Sequence, residues 1–64
     1  MKMNEAIEMV QNARDRAERE RYASYRRWMH CDLEGYDTSE AESEMEFNKG
    51  RVAALDFVLA SLTA

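Results

Sequence analysis

Apolar residues recur every three or four positions along almost the whole chain, and this helical spacing is interrupted only once. In the second half, the repeat spans three heptads and comprises Ala41, Met45, Asn48, Val52, Leu55, Leu59 and Leu62. In the first half, a similar stripe comprises Met3, Ile7, Val10, Ala13, Ala17, Ser24, Trp28 and Cys31, with Arg21 as a polar gap. Such spacing places apolar side chains on one face of a helix. The pattern therefore predicts two amphipathic α-helices.

The interruption lies at residues 34–38, where Gly35 can adopt the left-handed conformation that ends many helices. The chain contains no proline, so nothing else breaks the pattern as strongly. The sequence therefore predicts a helix over residues 4–33, a turn over 34–38 and a helix over 39–62. So short a turn makes the two helices antiparallel. The predicted fold class is all-α, a two-helix hairpin forming a single domain over residues 1–64.

Polar residues near the predicted helix starts suggest how each helix is capped. Asn4 is the predicted N-cap of the first helix, because its side chain can accept a hydrogen bond from the first turn. For the second helix, two capping boxes are possible, formed by Asp37 with Glu40 or by Ser39 with Glu42.

The position of the turn also predicts the register of the hairpin. A turn near Gly35 places residue i beside residue 71 − i. The pairs expected from this rule are Arg26 and Arg27 with Glu44 and Met45, Tyr22 with Lys49 and Gly50, and Ala17 with Ala54. Exposed ion pairs are each worth only about 0.2–1 kcal/mol, so they favour this register without supplying most of the stability.

A chain of 64 residues is short for independent folding, and it lacks the usual covalent and metal cross-links. Cys31 is the only cysteine, so no internal disulfide can form, and His30 beside it points about 100° away on a helix. The sequence therefore predicts no metal site, no cofactor and a homodimer that forms a four-helix bundle. The predicted dimer and core interface comprises Phe47, Asn48, Val52, Leu55, Phe57, Val58, Leu59 and Leu62. Asn48, the one polar residue of the repeat, is expected to fix register or oligomeric state.

The helices carry more apolar surface than a two-helix hairpin can bury. A second stripe on the first helix comprises Tyr22, Tyr25, Met29, Leu33 and Tyr36. Tyr, Trp, Met and Arg are enriched at protein-binding hot spots. We therefore predict a partner-binding site at Tyr22, Tyr25, Arg26, Trp28 and Met29. The alternative for each tyrosine is a half-buried core residue whose hydroxyl reaches water.

Several functional classes receive no support from the sequence. It contains no catalytic triad, no glycine-rich phosphate loop and no secretory leader, so we expect a cytoplasmic protein that is not an enzyme. The longest apolar-rich run, residues 52–62, is about half the length that spans a bilayer. The net charge is −4. Residues 32–46 hold seven acidic residues and no basic one, whereas residues 14–27 hold six arginines and three acids, so the two stretches are expected to neutralise each other.

Two alternative functions remain open at this stage. Arginines interleaved with aromatic residues can bind nucleic acid, and a plasmid copy-number regulator that binds paired RNA loops is also a short, acidic, dimeric helical hairpin. In this chain, however, the arginines do not share one helical face. The other alternative is a structural protein of a larger assembly.

The segment Asn48-Lys49-Gly50-Arg51-Val52-Ala53-Ala54-Leu55-Asp56-Phe57-Val58-Leu59 resembles the C-terminal helix of small phage-encoded all-helical accessory proteins. In those proteins a Gly-Arg-Φ-x-Ala-Leu-x-x-Φ-Leu pattern follows a long charged helix. The resemblance implies a protein that binds and blocks a host protein stoichiometrically, such as a transcriptional or quorum-sensing regulator. It assigns no individual residue a role. The function that we expect is therefore that of a small protein-binding inhibitor or adaptor.

Overall fold

The computed structural model describes residues 2–64, which form two α-helices and one turn. Helix α1 spans Met3–Glu34 and helix α2 spans Ser39–Thr63. The helices pack against each other along their length, and the molecule measures 49 × 14 × 14 Å. The all-α hairpin that the sequence predicts is confirmed.

The turn owes its sharpness to Gly35, which has φ 76°. The amide of Gly35 donates to the carbonyl of Asp32 at 3.2 Å, and the amide of Tyr36 donates to the carbonyl of Cys31 at 2.8 Å. This pair of hydrogen bonds is the Schellman motif, which satisfies carbonyls that a helix end otherwise leaves free. A residue with a Cβ would be strained at this φ, so the glycine itself ends α1.

The predicted N-caps are wrong in detail at both helix starts. Asn4 lies inside α1, because the helix already begins at Met3, with Lys2 as its N-cap residue. Helix α2 begins after Thr38, and neither N-cap residue makes a side-chain capping hydrogen bond. Instead, Asp37 Oδ1 accepts from the amide of Ser39 at 3.0 Å and from its hydroxyl at 2.7 Å. This local turn takes the place of either predicted capping box.

The seam between the helices follows the predicted repeats closely. All seven members of the α2 repeat are buried or half-buried, from Ala41 to Leu62. On α1 the predicted stripe is likewise buried or half-buried from Ile7 to Cys31, apart from the exposed gap at Arg21. Met3 departs from the prediction with 58% exposure. By the register rule, the position opposite Met3 would be 68. Helix α2 ends at Thr63, so it does not reach far enough to pack against this methionine.

Polar contacts across the seam confirm the predicted register to within one residue. Arg27 forms an ion pair with Glu44, and Arg51 with Glu20. Towards the other end, Arg14 Nε donates to Asp56 Oδ1 at 2.8 Å. The residue numbers of these pairs add up to 70 or 71, as a hairpin centred on Gly35 and Tyr36 requires.

A buried hydrogen bond lies at the middle of the seam. Asn48 Nδ2 donates to Ser24 Oγ at 2.7 Å, and the Ser24 hydroxyl donates to the carbonyl of Glu20 at 2.9 Å. Arg51 Nη1 donates to Asn48 Oδ1 at 3.2 Å. Ser24 and Asn48 are 3% and 8% exposed, so each buried group has a partner within the chain. Asn48 therefore connects α2 to α1 inside one copy.

Two of the predicted pairs of neighbouring residues do not pack against each other. Ala17 is fully buried, but Ala54 is exposed on the flank of α2. A Cβ added at Gly50 would meet no atom within 4 Å, so Tyr22 does not pack over this glycine. Gly50 lowers the stability of an exposed helix by about 1 kcal/mol relative to alanine, and the packing of one copy gives no reason for it.

The core of a single copy is thin. Its buried apolar residues are Ala17, Ala41 and Val52, and none of the large side chains of the described residues is fully buried. The accessible surface is 4970 Å². A compact monomer of 7.5 kDa exposes about 4,250 Å².

Candidate functional site

An exposed apolar stripe runs along α1 towards the turn. Its members are Tyr22, Tyr25, Met29 and Leu33, which are 61%, 42%, 36% and 78% exposed. They recur at steps of three and four residues, so they lie on one face of α1. This face points about 100° or more away from the seam, because the seam residues Ser24, Trp28 and Cys31 already occupy the side that faces α2.

Trp28 differs from the other residues of the predicted partner-binding site. It is half-buried in the seam, whereas Tyr22, Tyr25, Arg26 and Met29 are exposed. The rings of Tyr25 and Trp28 are stacked, with centroids 6.1 Å apart and an interplanar angle of 30°. Trp28 therefore acts as a support that holds the Tyr25 ring in place rather than as a surface residue.

A groove lies between the aromatic stripe and α2. It has a volume of about 320 Å³ and is lined by Arg21, Tyr22 and Tyr25 from α1 and by Met45, Glu46 and Lys49 from α2. A second, more open depression of about 560 Å³ continues along α1 and is lined by Tyr22, Tyr25, Arg26, Met29, His30 and Leu33. We refer to these ten residues together as the aromatic groove.

The aromatic groove has a mostly basic rim in an acidic protein. The Arg26 guanidinium lies 6.0 Å from the centroid of the Tyr22 ring, and Arg21 Nη1 lies 2.9 Å from Glu18 Oε1. Among residues 2–64, neither Arg26 nor Lys49 takes part in an ion pair. Both cations are therefore free to meet an acidic group on whatever enters the groove.

The predicted partner-binding site lies on α1 alone, whereas the groove also includes residues of α2. The register rule places Met45 beside Arg26 and Arg27, and Lys49 beside Tyr22. It does not indicate that these side chains share one groove. The half-buried Met45 serves the seam and the groove at once.

The residues of the predicted dimer and core interface fall into two groups. Asn48, Val52, Leu55, Leu59 and Leu62 line the seam within one copy. Phe47, Phe57 and Val58 face away from it and are 66%, 74% and 40% exposed. The Arg51 guanidinium lies 5.9 Å from the centroid of the Phe47 ring. Only these three predicted interface residues are therefore available to another molecule.

Within the described part of the chain, two titratable groups have a perturbed pKa, and both lie outside the aromatic groove. The hydrogen bond from Arg14 to Asp56 raises the pKa of Arg14, and the charge of Asp56 adds to this effect. The hydrogen bonds from the hydroxyl and the amide of Ser39 lower the pKa of Asp37 below its ordinary value. Both shifts stabilise charged groups at exposed structural contacts.

The side chains of His30 and Cys31 lie in different surroundings. The His30 ring meets the Tyr36 ring edge-on, with centroids 6.3 Å apart, whereas Cys31 is half-buried in the seam. Among residues 2–64, no three His, Cys, Asp or Glu side chains are grouped so that they could hold a metal ion.

Neither described helix contains a stretch that is apolar enough to cross a bilayer. In comparisons with known proteins, no family model, curated protein or solved structure matches this chain.

Proposed function

We propose that this chain is a small homodimeric protein-binding module, which acts stoichiometrically as an inhibitor or adaptor of another protein. The observation that carries the proposal is the aromatic groove, where Tyr22, Tyr25 and Met29 remain exposed beside two unpaired cations. A soluble monomer has no structural use for such a cluster, whereas binding hot spots are rich in these residue types. A host regulator as the target is what the resemblance to phage accessory proteins implies.

The charge arrangement favours a protein partner over nucleic acid. Arg14, Arg21, Arg27 and Arg51 each lie within ion-pairing distance of a carboxylate in the same chain. Nucleic-acid binding depends on arginines and lysines that are free to contact phosphates. Three of the six arginines in the basic stretch of α1 are thus engaged, namely Arg14, Arg21 and Arg27, and the net charge of −4 further disfavours binding to a phosphate backbone.

The surface area supports self-association as the second part of the proposal. If a dimer were as compact as a monomer of twice the mass, it would expose roughly 2,900 Å² less than two separate copies of 4970 Å² each. Obligate homodimers bury about 2,000–5,000 Å² of surface between their subunits. A second hairpin packed against α2 would cover Phe47, Phe57 or Val58, which are 66%, 74% and 40% exposed in one copy.

A capture experiment with matched variants tests the partner site. The immobilised chain, Tyr25→Ala and Tyr36→Ala are each incubated with the same cell lysate, and the retained proteins are identified by mass spectrometry. Tyr36 is a suitable control because it is 62% exposed and does not line the aromatic groove, although its ring meets that of the groove residue His30. We expect one protein that the wild type and Tyr36→Ala retain and that Tyr25→Ala loses.

The affinity for that protein is then measured by titration calorimetry. Loss of a hot-spot aromatic residue costs about 2 kcal/mol or more, so Tyr25→Ala should weaken binding by about 30-fold or more. Circular dichroism must show equal helicity for the three chains. Equal retention by all three, or no retained protein at all, would contradict the proposed partner site.

A further inference from the structure

The outer face of α2 carries a second heptad-like repeat in addition to the seam. Steps of three and four residues connect its members, which are Phe47, Gly50, Ala54, Phe57 and Ser61, with Val58 at the edge. All six residues are exposed in the single copy. We call this surface the outer α2 stripe. Side chains at this spacing line one face of a helix, as they do in a coiled coil.

We infer that the outer α2 stripe is the surface on which a second copy of this chain docks, with the two α2 helices antiparallel. The inference rests on the proposed homodimerisation and specifies its face and direction. It places the symmetry axis of the dimer next to α2, so that the four helices lie side by side in one layer rather than in the four-helix bundle expected from the sequence. The aromatic groove stays open to a different protein.

The ion pairs between α1 and α2 make the two flat faces of the hairpin less favourable docking surfaces for a second copy. Arg27–Glu44 and Arg51–Glu20 bridge the helices along one edge of the seam, and Arg14–Asp56 bridges them along the other. A second copy lying flat across either edge would remove charged groups from water, and desolvation of such pairs is costly. The members of the outer α2 stripe are uncharged. Of the charged side chains on this part of α2, Arg51 and Asp56 are turned towards α1.

The stripe offers enough apolar area to begin a stable interface. Phe47 and Phe57 are 66% and 74% exposed. With about 200 Å² for each phenylalanine, the two copies together expose roughly 550 Å² at these positions. That is nearly half of the ~1,200 Å² at the lower end of stable protein interfaces. Gly50 lies between the two rings, and glycine allows another backbone to come close.

Charge sets the direction of the two helices. The first two turns of α2 carry Glu40, Glu42, Glu44 and Glu46 and no basic residue. Parallel α2 helices would bring these two acidic segments together, and like charges side by side are destabilising. Antiparallel helices place each acidic segment beside the other copy's C-terminal half. A two-fold axis perpendicular to α2 produces this arrangement, with the same stripe used by both copies.

Sedimentation equilibrium at micromolar concentration tests the face. We expect about 15 kDa for the wild type and for Tyr36→Asp, and the monomer mass of 7.5 kDa for Phe57→Asp. Both substitutions replace an exposed aromatic residue by aspartate, so only the position differs. A dimer that survives Phe57→Asp overturns the inference about the face. A monomeric wild type instead overturns the proposed homodimerisation itself.

Pulsed electron paramagnetic resonance tests the direction, and it does not require the Phe57 variant to fold. Spin labels are placed in a Cys31→Ser background at Glu42→Cys or at Ala60→Cys, both of which are exposed and outside the stripe. These positions lie about 27 Å apart along α2, at 1.5 Å per residue. In an antiparallel dimer the separations along the helix axis between equivalent labels add up to about 54 Å or more for the two sites. Two short distances would show a parallel dimer and overturn the inference.

Discussion

Ser24→Ala should destabilise the hairpin because it removes the acceptor of a buried hydrogen bond. In the wild type, Asn48 Nδ2 donates to Ser24 Oγ at 2.7 Å, and the Asn48 side chain is the only polar one in the α2 repeat. The alanine variant would leave this amide group buried without that acceptor. Asn48 Oδ1 would keep its contact with Arg51, so the loss concerns one donor.

The size of the effect follows from the burial of that donor. A buried group left without its hydrogen bond costs about 1–3 kcal/mol. Because Asn48 retains 8% exposure and can reach some water, we expect a loss of about 1–2 kcal/mol in the free energy of unfolding. For a domain of this size, this corresponds to a fall in Tm of roughly 5–15 °C. Urea unfolding followed by circular dichroism measures it, at one fixed protein concentration since dimerisation would add to the stability.

Thr63→Ala is the matched control, because Thr63 lies outside the outer α2 stripe. The Thr63 hydroxyl donates to the carbonyl of Leu59 at 2.8 Å, as the Ser24 hydroxyl does to Glu20, and it makes no hydrogen bond to the described residues of α1. We expect Thr63→Ala to change the stability by less than about 0.5 kcal/mol. Adding Asn48→Leu to Ser24→Ala should recover most of the loss, because both polar partners are then gone. Equal stabilities of the two alanine variants would refute the role assigned to the Ser24–Asn48 bond.

Three further predictions concern the turn and the ion pairs. Gly35→Ala should lower the stability by about 1–2 kcal/mol in the same unfolding assay because of the positive φ, and Gly35→Asn should cost less, so equal losses would contradict this explanation. Ser39→Ala should raise the pKa of Asp37 towards 3.8 in an NMR titration, because the variant lacks the hydroxyl that contributes most to the lowered value. An unchanged pKa of Asp37 in Ser39→Ala would disprove this assignment. The pKa of Asp37 is lower in the folded chain than in the unfolded chain, so its contribution to stability is present above pH 3.8 and is lost as the pH falls through the folded value. Arg27→Glu should cost at most about 1 kcal/mol, and Glu44→Arg added to it should restore the stability if the two side chains interact directly.

The seam and the register were predictable because one physical rule determines each. The steps of three and four residues from Ala41 to Leu62 can face one neighbour only as a helix, and Gly35 leaves only one place for the turn. The position of Ala54 was not predictable at the same level. A shift of one residue rotates a side chain by about 100°, so a register known to within one residue cannot assign every flank.

The hydrophobic repeat predicted neither the helix starts nor every residue of the aromatic groove. Asn4 is a favourable N-cap residue type, yet α1 begins at Met3 with Lys2 as its N-cap residue, so Asn4 lies inside the helix. Exposure of Tyr22, Tyr25 and Met29 follows from their angle to the seam. The groove also includes Met45 and Lys49, which the register rule places beside α1 without indicating that they share a groove with its aromatic residues.

The left-handed conformation of Gly35 also determines which helices pack together. Its two hydrogen bonds reverse the chain, so that α1 pairs with α2 of the same copy and the molecule is 49 Å long. If residues 34–38 became helical, α1 and α2 would form one straight rod of about 90 Å. Such a rod could bury its seam residues only against another rod, through exchange of helices between copies. One torsion angle therefore separates a folded unit from an intertwined pair built on the same contacts.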